Sequence, residues 1–241
     1  MKIKTLQLIY PYYDNPHMLE YQLEFWHRNP WQFKERFKVI LVDDGSEKHP
    51  AEEVLKKYGE TSFELDLYRV KVNIPWNQNG AHNLGMHVAE DGWCVCTDID
   101  HVLLSSQLNV IFELDVDEGT YYTFGRRQSR ALTTVFKRHP NSWLLTREVF
   151  WASGGYDEDF SGYYGSDSVF RRCLDSVAKR VELEEPYLVV YDESDVDDAN
   201  TTEFGRKNSE YHSPNFPHLQ KKRRHHSKPV DPLRFPWERV L

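Results

Sequence analysis

Phe37-Lys38-Val39-Ile40-Leu41-Val42 runs without a break into Asp43-Asp44-Gly45-Ser46. The first six residues are rich in β-branched and apolar side chains and read as a buried strand. The acidic pair and glycine that follow end the strand in a sharp turn. A carboxylate there could accept hydrogen bonds from a nucleobase imide or a ribose hydroxyl, or it could serve the turn alone. A second stretch repeats the arrangement: Trp93 to Thr97 is an apolar strand that ends in Asp98-Ile99-Asp100.

Around these two stretches, strand and helix alternate. Leu6 to Tyr10 is a first strand ended by Pro11, and Asp14-Asn15-Pro16 starts a helix that runs through Met18, Leu19, Leu23 and Phe25 to near Asn29-Pro30. Pro50 to Tyr58 is an amphipathic helix closed by Gly59, Phe63 to Val72 alternates as a strand, and Gly80 to Glu90 is helical. This order predicts an α/β fold with a mainly parallel central sheet. In such sheets ligands bind beyond the carboxyl ends of the strands, where both acidic clusters lie.

After residue 100 the pattern loosens. Tyr121 to Phe124 reads as a strand, Arg126-Arg127 as a loop able to contact phosphate, and Thr146 to Ala152 as a short helix. Gly154 to Phe160 is a turn-rich loop, Ser166 to Ala178 a helix with Asp167 in its first turn, and Tyr187 to Tyr191 a last strand. We expect one domain over residues 1–191, in two halves (1–100 and 101–191), then an arm over 192–241. Trp76 and Trp143 are candidate sugar platforms, although core packing is the plainer reading of each.

Composition narrows the classes. The chain has 241 residues and a formal net charge of −8, so wrapping of nucleic acid is not expected. Charge is uneven: residues 192–198 are acidic, and Lys221 to Lys228 is a basic run suited to anionic lipid headgroups. Three cysteines without framework spacing argue against a disulfide scaffold, and no stretch approaches a membrane span or a signal-peptide core. The expected location is cytoplasmic, and the basic run reads either as a solvated tail or as a peripheral contact with an anionic membrane.

Alternate residues of an extended segment point the same way, so Asp98 and Asp100 could face one ion while His101 points to the opposite face. Carboxylate oxygens suit Mg²⁺ and Mn²⁺, which leave positions open for phosphate oxygens.

Taken in order, these elements resemble the GT-A glycosyltransferases, especially the family 2 type. The resemblance spans roughly residues 4–175 and rests on five ordered pieces: Ile9 to Tyr13, Val42 to Ser46, Ala81-His82-Asn83-Leu84-Gly85, Asp98-Ile99-Asp100, and Gly154 to Phe160 leading to Gly162 to Asp167. The last piece is also similar to a galactosyltransferase acceptor-side motif. The resemblance as a whole implies a nucleotide-binding half (1–100), an acceptor-side half (101–191) and a metal-dependent transfer of a sugar from a nucleotide-diphosphate donor, a UDP-sugar by analogy, to an acceptor hydroxyl with inversion. The acceptor would be a saccharide, a glycolipid or a protein. Carried over, Asp44 recognises the base with Asp43 supporting the turn, and Pro11 and Tyr12 line the nucleotide pocket with Asn83. Asp98 lies toward the ribose or the ion, Asp100 is the direct ligand of Mn²⁺ or Mg²⁺, and Asp167 is the general base. A third ligand is implied from the C-terminal region, with His212 the candidate and His218 and His225-His226 its competitors.

Two departures stand out. His82 replaces the family's arginine before Asn83, and Ser166-Asp167 replaces a Glu-Asp pair. Two other readings fit parts of the chain. Asp98-Ile99-Asp100 also resembles a haloacid-dehalogenase-like phosphatase motif, but that leaves Val42 to Ser46 unexplained. A non-catalytic nucleotide-sugar-binding protein would need no base at Asp167.

Overall fold

The computed structural model describes residues 1–74, 77–163, 165–199, 216–224 and 231–241. Four parallel strands form the centre of one sheet, in the order β3-β2-β1-β4: β1 (Leu6–Tyr12), β2 (Phe37–Asp43), β3 (Glu64–Val70) and β4 (Trp93–Cys96). The chain steps outward from β1 to β3 and then returns to place β4 on the other side of β1. The carboxyl ends of β1 and β4 therefore flank a switch point, where a crevice opens.

Helices cover both faces. On one side lie α1 (Pro16–Arg28), the short α2 (Trp31–Lys34) and α3 (Ala51–Tyr58). Proline at the first turn of α1 uses a position whose N–H has no helical partner. Met18, Leu19, Leu23 and Trp26 of α1 share a core with Leu8, Tyr10, Val39 and Leu41. On the other side, α4 (Gln78–Val88) packs against β1 and β2 so closely that eight of its residues are buried. Gly85 makes this approach possible: a Cβ there would lie 2.4 Å from Ile9 Cγ2.

Beyond β4 the sheet becomes mixed. β5 (His101–Val102), β6 (Thr120–Gln128), β7 (Val135–Phe136), β8 (Trp143–Thr146) and β9 (Lys179–Val190) extend it, with α5 (Ser105–Glu113), α6 (Arg147–Ala152) and α7 (Asp167–Asp175) between them. β8 pairs antiparallel with both β4 and β6, and β9 runs parallel to β6. Arg126 and Arg127, expected in a loop, lie on β6, because the strand continues to Gln128 and pairs with β7 and β9. Trp143 is fully buried in the core.

Part of the C-terminal region is built into the same body. α8 (Phe216–Arg224) packs against α7, and β10 (Trp237–Arg239) adds to β3 as an antiparallel edge strand. His212, Trp76 and His225-His226 lie outside the described residues. Among the described residues no helix is long and apolar enough to cross a membrane.

Candidate active site at the strand ends

Two turns at the ends of β2 and β4 carry the acids. In the first, Asp43 and Asp44 are both buried. Asp43 accepts from the Ser46 N–H at 2.8 Å and from the Ala51 N–H at 3.0 Å, so it holds the turn and the start of α3. Burial pushes its carboxyl upward, offset in part by those donors. Asp44 follows the last residue of β2, with its N–H donating to the Tyr12 carbonyl at 2.8 Å, and Pro11, the register partner of Val42, lies on the α4 face. Tyr12 lies on the Asp43 face, packed in the core with its hydroxyl donating to the His49 carbonyl at 2.5 Å. Of the candidate pocket residues on these two strands, Pro11 thus faces one way, Tyr12 and Asp43 the other.

The second turn is not extended. The His101 N–H donates back to the Asp98 carbonyl at 3.1 Å, which closes a turn over residues 98–101. Alternation therefore does not govern its side chains, and His101 is not sent away from Asp98. From α1, the buried Gln22 amide donates to the carbonyls of Ile99 at 2.8 Å and His101 at 3.0 Å, pinning the turn from beneath.

Asp98 is the centre of the cluster. Its Oδ1 accepts from the Gln78 amide and from Asn141 Nδ2, the latter at 2.9 Å, while Oδ2 faces His139 Nε2 at 3.4 Å. Burial, and then the charges of Asp100 and Asp167, push its carboxyl well above the usual carboxylate range. A cation at this position would relieve both effects. Asp100 Oδ1 lies 2.7 Å from His101 Nδ1, and Arg126 Nη1 lies 3.4 Å from His101 Nε2. His139 is half-buried, and desolvation together with the neighbouring His101 and Arg126 holds its imidazole well below the usual range. Asp98, His101 and His139 can bring one ligand atom each to within 4.8 Å of one another, a donor set that suits a divalent ion.

His82 takes no part as a cation. Burial lowers its pKa to about 3. Asn141 Nδ2 lies 3.1 Å from its Nε2, and its ring stacks on Tyr156 at 5.2 Å. The amide donates and the neutral ring accepts, so the charge of the family's arginine is not replaced here. Asn83 is also spent internally. Its amide donates to the Tyr156 carbonyl and Glu158 Oε1 and accepts from the Tyr156 N–H at 2.8 Å, stapling the 156–158 segment to α4.

Asp157, Glu158 and Asp159 hold the C-terminal region. Lys222 Nζ reaches Asp157 at 2.7 Å and Asp159 at 2.5 Å, and Glu158 accepts from the N–H groups of Leu233 and Arg234. Lys222 of the basic run is therefore committed inside the molecule. His218 sits 3.5 Å from Asp159 and not with the Asp98 cluster. Asp167, at the first position of α7, has its carboxyl pushed up to about 6 by burial, against the lowering influence of its own N–H and of Arg171. Its charge is felt by both Asp98 and Tyr156.

Sequence reasoning did not single out His139, Asn141, Gln78 or Gln22. His139 and Asn141 lie in a segment without periodicity, and only their placement against Asp98 marks them.

The family model of glycosyl transferase family 2 matches residues 8–164, more than half of the chain. No curated protein matches the sequence. Among solved structures, the mannosyltransferase PcManGT from Pyrobaculum calidifontis, in complex with GDP-Man and Mn²⁺, superposes with a TM-score of 0.57 at 17% identity, covering 76% of this chain and 56% of that one. S. aureus TarS 1–349 gives 0.60 at 15% identity, covering 79% and 61%, and its complex with UDP-GlcNAc gives 0.59 at 14%, covering 78% and 59%. These likenesses show the fold, and the chain spans less than two thirds of each of these structures.

Proposed function

This chain belongs to glycosyl transferase family 2 and has the GT-A fold, and from that premise we propose that it transfers a sugar from a nucleotide-diphosphate donor to an acceptor hydroxyl with the help of a divalent ion. One observation carries the reading: Asp98, His101 and His139 bring their ligand atoms within 4.8 Å of one another at the end of β4, and the charges of Asp100 and of Asp167 from α7 both bear on the Asp98 carboxyl. A cation held at this turn would act together with Asp167, whose carboxyl burial pushes up to about 6.

Asp44 and Pro11, at the ends of β2 and β1, would receive the nucleoside. The Asp44 carboxylate would accept from a uracil imide or an equivalent donor on guanine. A bound divalent ion, held at the Asp98 turn, supplies charge neutralisation for the leaving diphosphate. Arg126, beside His101, adds a second positive charge on that side. Asp167 takes the proton of the acceptor hydroxyl, and a pKa of about 6 lets its ionised form predominate at neutral pH while it remains basic enough to act. One base and displacement on the opposite side of the leaving group give inversion. UDP-sugars are the first donors to test, because UDP-GlcNAc and UDP occupy TarS structures, with GDP-sugars next after PcManGT.

A donor screen with Mn²⁺, reading release of nucleoside diphosphate from UDP- and GDP-sugars with and without saccharide acceptors, tests the proposal. Metal-dependent release with at least one donor is expected. Failure of every donor both to turn over and to bind in a metal-dependent way would overturn it.

A further inference from the structure

Around the Asp98 turn, Asp98, His101 and His139 each have one polar atom held by an outer partner. Asp98 Oδ1 is occupied by Gln78 and Asn141, which leaves Oδ2 toward His139. His139 Nδ1 lies 2.9 Å from Ser142 Oγ, itself held 2.6 Å from Thr97 Oγ1, so Nε2 is the free ring nitrogen. His101 Nδ1 lies 2.7 Å from Asp100 Oδ1, so Nε2, 3.4 Å from Arg126 Nη1, is its acceptor nitrogen. The two imidazoles stack at 4.2 Å. Three ligand atoms around one ion at about 2.1 Å stand about 3.0–3.6 Å apart, which the Asp98 Oδ2–His139 Nε2 pair meets at 3.4 Å, and the wider separations within the 4.8 Å limit would close on binding.

Resting on the metal-dependent reading, we infer that the ion is held by Asp98, His101 and His139, and that Asp100 orients His101 and is not itself a ligand. The pattern is that of a metal centre whose ligands are aimed by outer hydrogen bonds: a carboxylate on one imidazole, a hydroxyl on the other, two amides on the carboxylate. Arg126 Nη1 stands 3.4 Å from His101 Nε2. A guanidinium beside a cation is tolerable only when an anion joins them, and the donor's diphosphate is such an anion. Three protein ligands leave positions open for its oxygens. Two imidazoles also shift preference away from Mg²⁺ toward Mn²⁺, Co²⁺ and Zn²⁺, since Mg²⁺ takes oxygen ligands.

The test is electron paramagnetic resonance of Mn²⁺ bound to the full chain with UDP or GDP present. Electron spin echo modulation from directly coordinated ¹⁴N is expected in the wild-type protein, so the result does not depend on any variant folding. His139→Ala and His101→Ala should each weaken Mn²⁺ binding by about tenfold or more and reduce the nitrogen modulation. Asp100→Asn, whose amide oxygen still accepts from His101, should keep the modulation. Bound Mn²⁺ without ¹⁴N coupling, or displaced as readily by Mg²⁺ as from an all-oxygen site, would overturn the ligand set while leaving a metal-dependent transferase standing. No Mn²⁺ binding at all would overturn both.

Discussion

The side-chain amide of Gln22 donates to the carbonyl of Ile99 at 2.8 Å, from the buried face of α1 into the turn that follows β4. The same amide reaches the His101 carbonyl at 3.0 Å. A helix that otherwise buries Met18, Leu19, Leu23 and Trp26 thus spends one core position on fixing the backbone of the acidic turn. Gln22→Leu would leave both carbonyls without this partner in the core. A loss of about 2–4 kcal/mol in urea denaturation is expected, since each buried unsatisfied group costs about 1–3 kcal/mol. Mn²⁺ titration of the variant should show weaker binding, because the turn that carries Asp98 and His101 is no longer held.

Asp167→Asn keeps the size of the side chain and removes the base. Turnover should fall by about 10²–10⁴-fold, the usual range for a positioned general base. Donor binding, followed by titration with UDP in Mn²⁺, should stay within a few-fold of wild type. An unchanged turnover would remove Asp167 from the reaction.

The pH dependence follows from the same carboxyl. Its folded pKa of about 6 exceeds that of an exposed aspartate, so the folded protein holds a proton there that the unfolded chain has released. Activity needs the ionised form, and kcat/KM should rise tenfold per unit up to about pH 6 and then level. Stability runs the other way: this group favours folding below the unfolded pKa, near 4, and loses that contribution as pH rises through about 6. Asp167→Asn should therefore raise Tm at pH 7.5 more than at pH 4.5.

Gly45 adopts φ +74°, and a Cβ there would stand 2.6 Å from the Val72 carbonyl oxygen. Backbone cannot step aside as a flexible side chain would. Gly45→Ala should cost about 2–4 kcal/mol, combining the left-handed conformation with overpacking. Nucleotide affinity should fall with it, because this glycine sets the turn that presents Asp44.

Glu158 accepts from Asn83, Leu233 and Arg234 at once. Glu158→Gln places an amide among donors, and limited proteolysis should then cleave the C-terminal segment several-fold faster. Acid should loosen the same contact. Burial would raise the Asp159 carboxyl, but Lys222 and Arg234 hold it down at about 2. Its contribution is full above the unfolded pKa, near 4, and is lost as pH falls through about 2, a window that protease protection at graded pH can follow.

The parallel strands that build the site were legible because a buried strand is written locally, as in Val39 to Val42 and Cys94 to Cys96. The additions beyond residue 100 were less so. β5 and β7 are two residues each, too short for any period, and β10 is an exposed edge strand without an apolar pattern. The acids of the candidate site were visible as strand-end residues. Their directions were not, since alternation was assumed through Asp98 to His101 where the chain turns.

By itself, then, the sequence determined an α/β layer with Asp43, Asp44, Asp98 and Asp100 at strand ends, because apolar runs and the polar residues that stop them are neighbours in the chain. Tertiary structure alone decided which atoms meet. Gln22 bonds the Asp98 turn, Asn141 and His139 face Asp98, and Glu158 receives Arg234 across long separations in sequence. Such contacts depend on helix and strand packing that no local pattern encodes, and they are what convert a pair of acidic turns into a site.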